Sequence, residues 1–369
     1  MLFMPVIVIF YQENGFNMQQ IFILLSIYSV TIAVLEIPSG FLSDVWGRKN
    51  TIILGIIFSF LGFVIYTYSY SFLNFAVAEI FLGIGQSMVS GADSALLYDS
   101  LLEINKKKEF VKYEGRMVSV GNFSEAAAGV AGGFLAEMSI RYPFYGQAIV
   151  TFIAIPAAFM LIEPSRHEAL EKYNFKQILK IIKHALFDNK LLRYAIIFSS
   201  IIGCATLTMA WFAQPYFKLI GLKLSYFGII WTALNLTVGI FSFLSYKIEN
   251  KLGQKKSTWF ITISIPLGYI LLSFFSSLWA ISLLFTFYIC RGIATPILKN
   301  YINKLTKSNI RATVLSVRNL IIRLFFIILS PFLGWYTDHF TLNQALLLAG
   351  IIFSILCIST VILYFKSIE

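Results

Sequence analysis

The segment Gly40-Phe-Leu42-Ser-Asp44-Val-Trp-Gly47-Arg48-Lys49 sets two glycines, an acid and two bases between long apolar runs. Glycine adopts backbone conformations closed to other residues, so Gly40 and Gly47 allow helix ends to approach and the chain to reverse in a tight turn. Asp44 just before the turn and Arg48 just after it are placed to pair with neighbouring helix ends. The runs on either side, residues 20–42 and 51–70, each satisfy the roughly 20 apolar residues that a hydrocarbon core demands of a spanning helix.

The rest of the chain repeats that texture. Of its 369 residues, 58% are hydrophobic and only 13% charged, 36 are Phe, and the mean hydropathy is +0.78. Charge is about half that of an ordinary globular domain, which excludes a water-soluble fold. Further full-length runs lie at 73–102, 117–137, 144–162, 191–216, 224–246, 257–277, 279–302, 313–336 and 342–365, and a short one at 1–11. Twenty-two of the 29 Lys and Arg fall in alternate loops, whereas the opposite loops hold Arg141, Lys218 and Lys223. By the positive-inside rule the central loop and the C-terminus are cytoplasmic, as in a multi-pass protein of a bacterial inner membrane. The net charge of +11 thus reflects loop orientation and calls for no nucleic-acid partner.

Residues 163–190 form the long polar segment. Phe175, Ile178, Leu179, Ile182 and Leu186 follow a 3.6-residue period there, with Lys176, Lys180 and Lys183 opposite, predicting an amphipathic helix on the inner leaflet. The segment divides the chain into an N-terminal half, 1–162, and a C-terminal half, 191–369. The halves resemble each other: Asp44-Val-Trp-Gly47-Arg48-Lys49 returns as Asn250-Lys-Leu-Gly253-Gln254-Lys255, and Asp99 corresponds to Asn300. On this alignment Gly15 matches Gly221, and the first helix lacks about 16 residues, four or more turns. A first helix that stops partway through the membrane is expected.

The loop 40–49 resembles the Gly-x-Leu-x-Asp-x-x-Gly-Arg-Lys signature of the major facilitator superfamily at every defined position. With the span count, central loop and repeat, the resemblance covers the whole chain. It implies an all-α membrane protein of twelve helices in two pseudo-symmetric six-helix halves, the first helix incomplete, working as a monomeric secondary transporter of a small molecule in a lipid bilayer. It further implies a cytoplasmic charge cluster of Asp44, Arg48 and Asp99 that latches one state of the cycle. Where many members carry an Arg ahead of the Gly83-Ile-Gly85 region, this chain has Glu79. The fifth span lacks the antiporter proline, and its small residues, Ala126–Ala128, Gly129, Gly132 and Gly133, read as a close packing face.

Charges inside the spans are lopsided. The first half holds Glu36, Glu79, Asp93, Asp99, Glu125 and Glu137, and the second Arg291, Lys299, Arg318 and Arg323. Seven of them lie deep, and at ~2.5–3.5 kcal/mol each they would cost roughly 20 kcal/mol facing lipid, so they face one another or a wet cavity. Glu36 and Arg318 make a candidate gating pair, although each could equally be satisfied within its own half. Arg291, Arg323 and Glu125 are candidate substrate contacts, since a guanidinium suits a carboxylate or phosphate. Glu125 and Asp93 are candidate proton carriers.

The expected activity is proton-coupled efflux of drug-like or amphipathic compounds. The alternatives are import of an anionic small molecule, or a non-transporting sensor or inactive remnant. No cofactor beyond a proton gradient is expected. Cys204, Cys290 and Cys357 and the three histidines show no metal, disulfide or nucleophile spacing, so neither a metal site nor an enzyme is expected.

Overall fold

The computed structural model describes residues 1–90, 92–106, 110–164, 180–306 and 310–367; most of the expected amphipathic helix, and within α2 the side chain of Asp44, lie outside the described residues. Among the described residues the regular structure is helical. In chain order the helices are α1 (Ile7–Glu13), α2 (Met18–Trp46), α3 (Arg48–Tyr68), α4 (Phe72–Val89), α5 (Ala92–Glu103), α6 (Phe110–Met138), α7 (Tyr142–Phe159), α8 (Lys190–Leu219), α9 (Leu224–Phe274), α10 (Ile281–Lys304), α11 (Arg311–His339) and α12 (Leu342–Lys366). Nine stretches are long and apolar enough to cross a membrane, among the described residues. The seven-residue α1 is too short for that.

One expected span is divided. The expected fourth span divides into α4 and α5, because Ser90 closes α4 with a ψ of 120° that takes it out of the helical path. The eighth and ninth spans are two helices, as expected; the range α9 holds both, and Gly253 between them leaves helical geometry at φ 75° and ψ 166°. Good helix formers such as Lys247, Glu249, Lys251 and Leu252 carry the first of these helices up to Gly253, where it ends. Gly47, its counterpart in the repeat, also takes a positive φ, 112°. Both loops therefore turn on the one residue type that enters this region without strain.

The chain forms two compact units. The first comprises Met1–Phe16, Gln20–Glu171 and Leu224–Thr232, and the second Asn17–Gln19, Lys172–Lys223 and Ala233–Glu369. In the first, α3 packs along α4 and α7. The α3–α4 seam closes on glycine: a Cβ on Gly85 would sit 2.2 Å from Ser59 Oγ and 2.6 Å from the Gly55 carbonyl oxygen. Small residues let two backbones touch in this way where lipid offers no hydrophobic drive between helices. The small face of α6 behaves likewise, with Gly129 and Gly133 against Gly228 in the first turns of α9, and Thr232 Oγ1 donating to the Ala126 carbonyl at 3.1 Å.

In the second unit α8 is the central helix, packed by α10, α11 and α12. Its apolar window is 78% buried, and no other crossing stretch among the described residues exceeds 50%, so the remaining helices keep a lipid-ready flank. Phe152, Ile149, Phe243 and Ile355 are among the large apolar side chains left exposed. In water such a surface would be an aggregation hazard, and in a bilayer it is ordinary.

Candidate functional site

At the signature turn, Gly47 ends the path of α2 and caps α3, with Thr51 Oγ1 donating to its carbonyl at 2.8 Å. The turn directs Arg48 toward α5, where its Nη2 lies 3.0 Å from Asp99 Oδ2. Both side chains are about four-fifths buried, at 18% and 23% exposure, so this pair is shielded more than a surface ion pair. Glu163 completes the group. Its two carboxylate oxygens accept the backbone N–H groups of Arg48 and Lys49 at 2.9 and 2.7 Å, capping α3 where unpaired donors and the helix dipole favour an anion. Sequence reading missed Glu163, which counts there only as the first residue of the linker. The close approach expected at Gly40 is not observed: Gly40 is exposed, and a Cβ there would meet nothing within 4 Å. Of the two glycines in this turn, Gly47 is the one with a backbone need for glycine.

Toward the other end of α3 lies a buried polar group inside an aromatic cluster. Glu79 of α4 is 3% exposed, and its Oε1 accepts hydrogen bonds from Tyr66 of α3 at 2.6 Å and Tyr11 of α1 at 2.8 Å. The two tyrosine hydroxyls also bond to each other. Phe10, Phe75 and Phe144 pack around them, the Tyr66 and Phe144 rings stacked at 5.4 Å. Arg141, just before α7, closes the adjoining rim. It donates to Asn14 Oδ1 and to the carbonyls of Thr67 and Ser69, and lies over the Tyr70 ring at 3.9 Å.

Of the remaining sequence candidates, Asp93, Glu125 and Glu36 belong to the first unit. Asp93 stands in the first turn of α5 and accepts from the Ser94 N–H at 2.7 Å. Glu125 on α6 is partly exposed and paired with the amino group of Met1. Glu36 is half-buried on α2. In the second unit Arg318 is 6% exposed; its Nε donates to Ser199 Oγ at 2.5 Å and its Nη1 to Asn319 Oδ1 at 3.1 Å, while Ser200 donates to its carbonyl at 3.1 Å. Two of the five guanidinium N–H donors thus have partners within its own unit. Arg291 on α10 and Arg323 on α11 are half-buried on separate helices.

A signature turn holding a shielded ion pair, on an all-helical chain of apolar spans, matches one family. The sequence profile of the Major Facilitator Superfamily aligns with residues 1–328. The chain belongs to the Major Facilitator Superfamily. Members of this superfamily are membrane transporters, not enzymes. The chain is 31% identical over 222 residues to an uncharacterized transporter of Buchnera aphidicola, covering 60% of this chain and 54% of that one. It thus spans about half the length of that relative. It is 23% identical over 297 residues to the class B tetracycline resistance protein of Escherichia coli, covering 78% and 71% of the two chains. The crystal structure of the nucleoside transporter NupG superposes with a TM-score of 0.82 at 13% identity, covering 98% of this chain and 94% of that one, a likeness of fold.

Proposed function

We propose that this superfamily member is a secondary transporter that expels drug-like or amphipathic organic molecules in exchange for protons, by alternating access. The observation that carries the transport reading is the shielded Arg48–Asp99 pair at the signature turn, a contact that can hold in one conformation and release in another. The direction and cargo class rest on likeness to the tetracycline resistance protein and on spans rich in Phe, Trp and Tyr. The charge distribution supports a cytoplasmic C-terminus, central loop and Arg48 turn, in a bacterial cytoplasmic membrane. Glu125 and Asp93 serve as proton carriers on this reading, Arg291 and Arg323 as cargo contacts, and the chain works as a monomer.

The reading is tested with the full chain in liposomes carrying a pH gradient and a panel of toxic amphipathic compounds. Gradient-driven flux of at least one compound is expected, reduced in Asp44→Asn and Asp99→Asn while membrane insertion stays intact. Full flux in both variants would remove the latch. Import of an anionic molecule is a second reading, favoured by the half-buried Arg291 and Arg323. Uptake of a carboxylate or phosphate with no protection against toxic compounds would establish it instead.

A further inference from the structure

Glu79 is the buried acid that the transport reading leaves unused. Among the described residues no Lys or Arg forms an ion pair with it, although burial of a lone carboxylate is costly. From α1 it is met by Tyr11, and from α3 by Tyr66. From α2, Thr31 and the Tyr28 carbonyl reach Gly83, one turn further along α4, and α7 contributes the Phe144 ring. The Arg141 guanidinium at the rim is engaged by Asn14, Thr67 and Ser69.

The proton count of this cluster is informative. Three oxygens, Glu79 Oε1, Tyr11 Oη and Tyr66 Oη, make three mutual contacts. With the carboxyl ionised, the tyrosines supply two protons; both point at Oε1, and the contact between the hydroxyls has none. One added proton on the carboxyl fills every edge: Glu79 donates to Tyr11, Tyr11 to Tyr66 and Tyr66 to Glu79. The same heavy-atom frame therefore accepts two proton inventories that differ by one, with a closed ring in the neutral form.

We propose that Glu79, framed by Tyr11 and Tyr66, is an exchangeable proton-binding site of this transporter, separate from Asp93 and Glu125. On release the Glu79 O–H bond breaks, the electron pair stays on the carboxylate, the proton passes to a water at the Arg141 rim, and both tyrosines turn to donate to Oε1. On uptake the steps reverse. The neutral ring ties α1 to α3 and α4, and the anion calls for water among the aromatic rings, so proton release loosens α1. Only the part of this in flux rests on the transport reading.

Infrared difference titration of the full chain in liposomes tests the site without any cargo. A protonated-carboxyl C=O band is expected that disappears on alkalinisation, is lost completely in Glu79→Gln, persists in Glu125→Gln and Asp93→Asn, and shifts in frequency in Tyr66→Phe and Tyr11→Phe. A full set of titrating bands in Glu79→Gln would overturn the proposal. Should that variant not fold, an unchanged band in Tyr66→Phe, which keeps the carboxyl and loses one bond, overturns it equally. A titrating Glu79 band together with no gradient-driven flux would defeat the transport reading and leave the proton site standing.

Discussion

At the scale of single residues, the Arg48–Asp99 pair and Glu163 act on one spot by different means. Arg48 reaches α5 with its guanidinium and receives Glu163 on its backbone, so its side chain can be removed without disturbing the cap. A double-mutant cycle with Arg48→Gln and Asp99→Asn separates the two. We expect a coupling of about 1–2 kcal/mol, above the exposed-pair range and below the cost of opening a fully buried pair. Denaturant unfolding of the four variants in detergent measures it, and additive single-variant effects would show the pair to be energetically idle.

At the scale of elements, the α3–α4 seam fixes the geometry of everything mounted on it. Gly85→Ala puts a methyl 2.6 Å from a backbone carbonyl, which cannot swing aside as a side chain can, so the helices must part. A loss of about 1–3 kcal/mol is expected, as for other overpacked sites. Thermal unfolding in detergent checks it, with Gly40→Ala, where the added Cβ meets nothing, as the tolerated control. The helices themselves were legible as apolar runs, and Arg48 with Asp99 through the family signature. The cluster at Glu79 was not, because Tyr11 and Tyr66 lie 68 and 13 residues from it and a tyrosine in an apolar run reads as packing.

At the scale of the whole molecule, the basic residues predict sidedness that can be checked directly. Cys204, Cys290 and Cys357 are all buried, so the native chain gives a low background to a membrane-impermeant maleimide. Lys218→Cys should label in intact cells, and Lys251→Cys only after permeabilisation. The reverse pattern would invert the topology and, with it, the side on which the Arg48 turn faces.

Glu163 has a consequence for how the first unit ends. The linker begins with a residue clasped to the amides that begin α3, so the unit fastens its last segment onto its own third helix. A knot tied at that point bears any pull arriving along the chain before α7 feels it. A protease that cut the chain after Pro164 would therefore leave the knot tied.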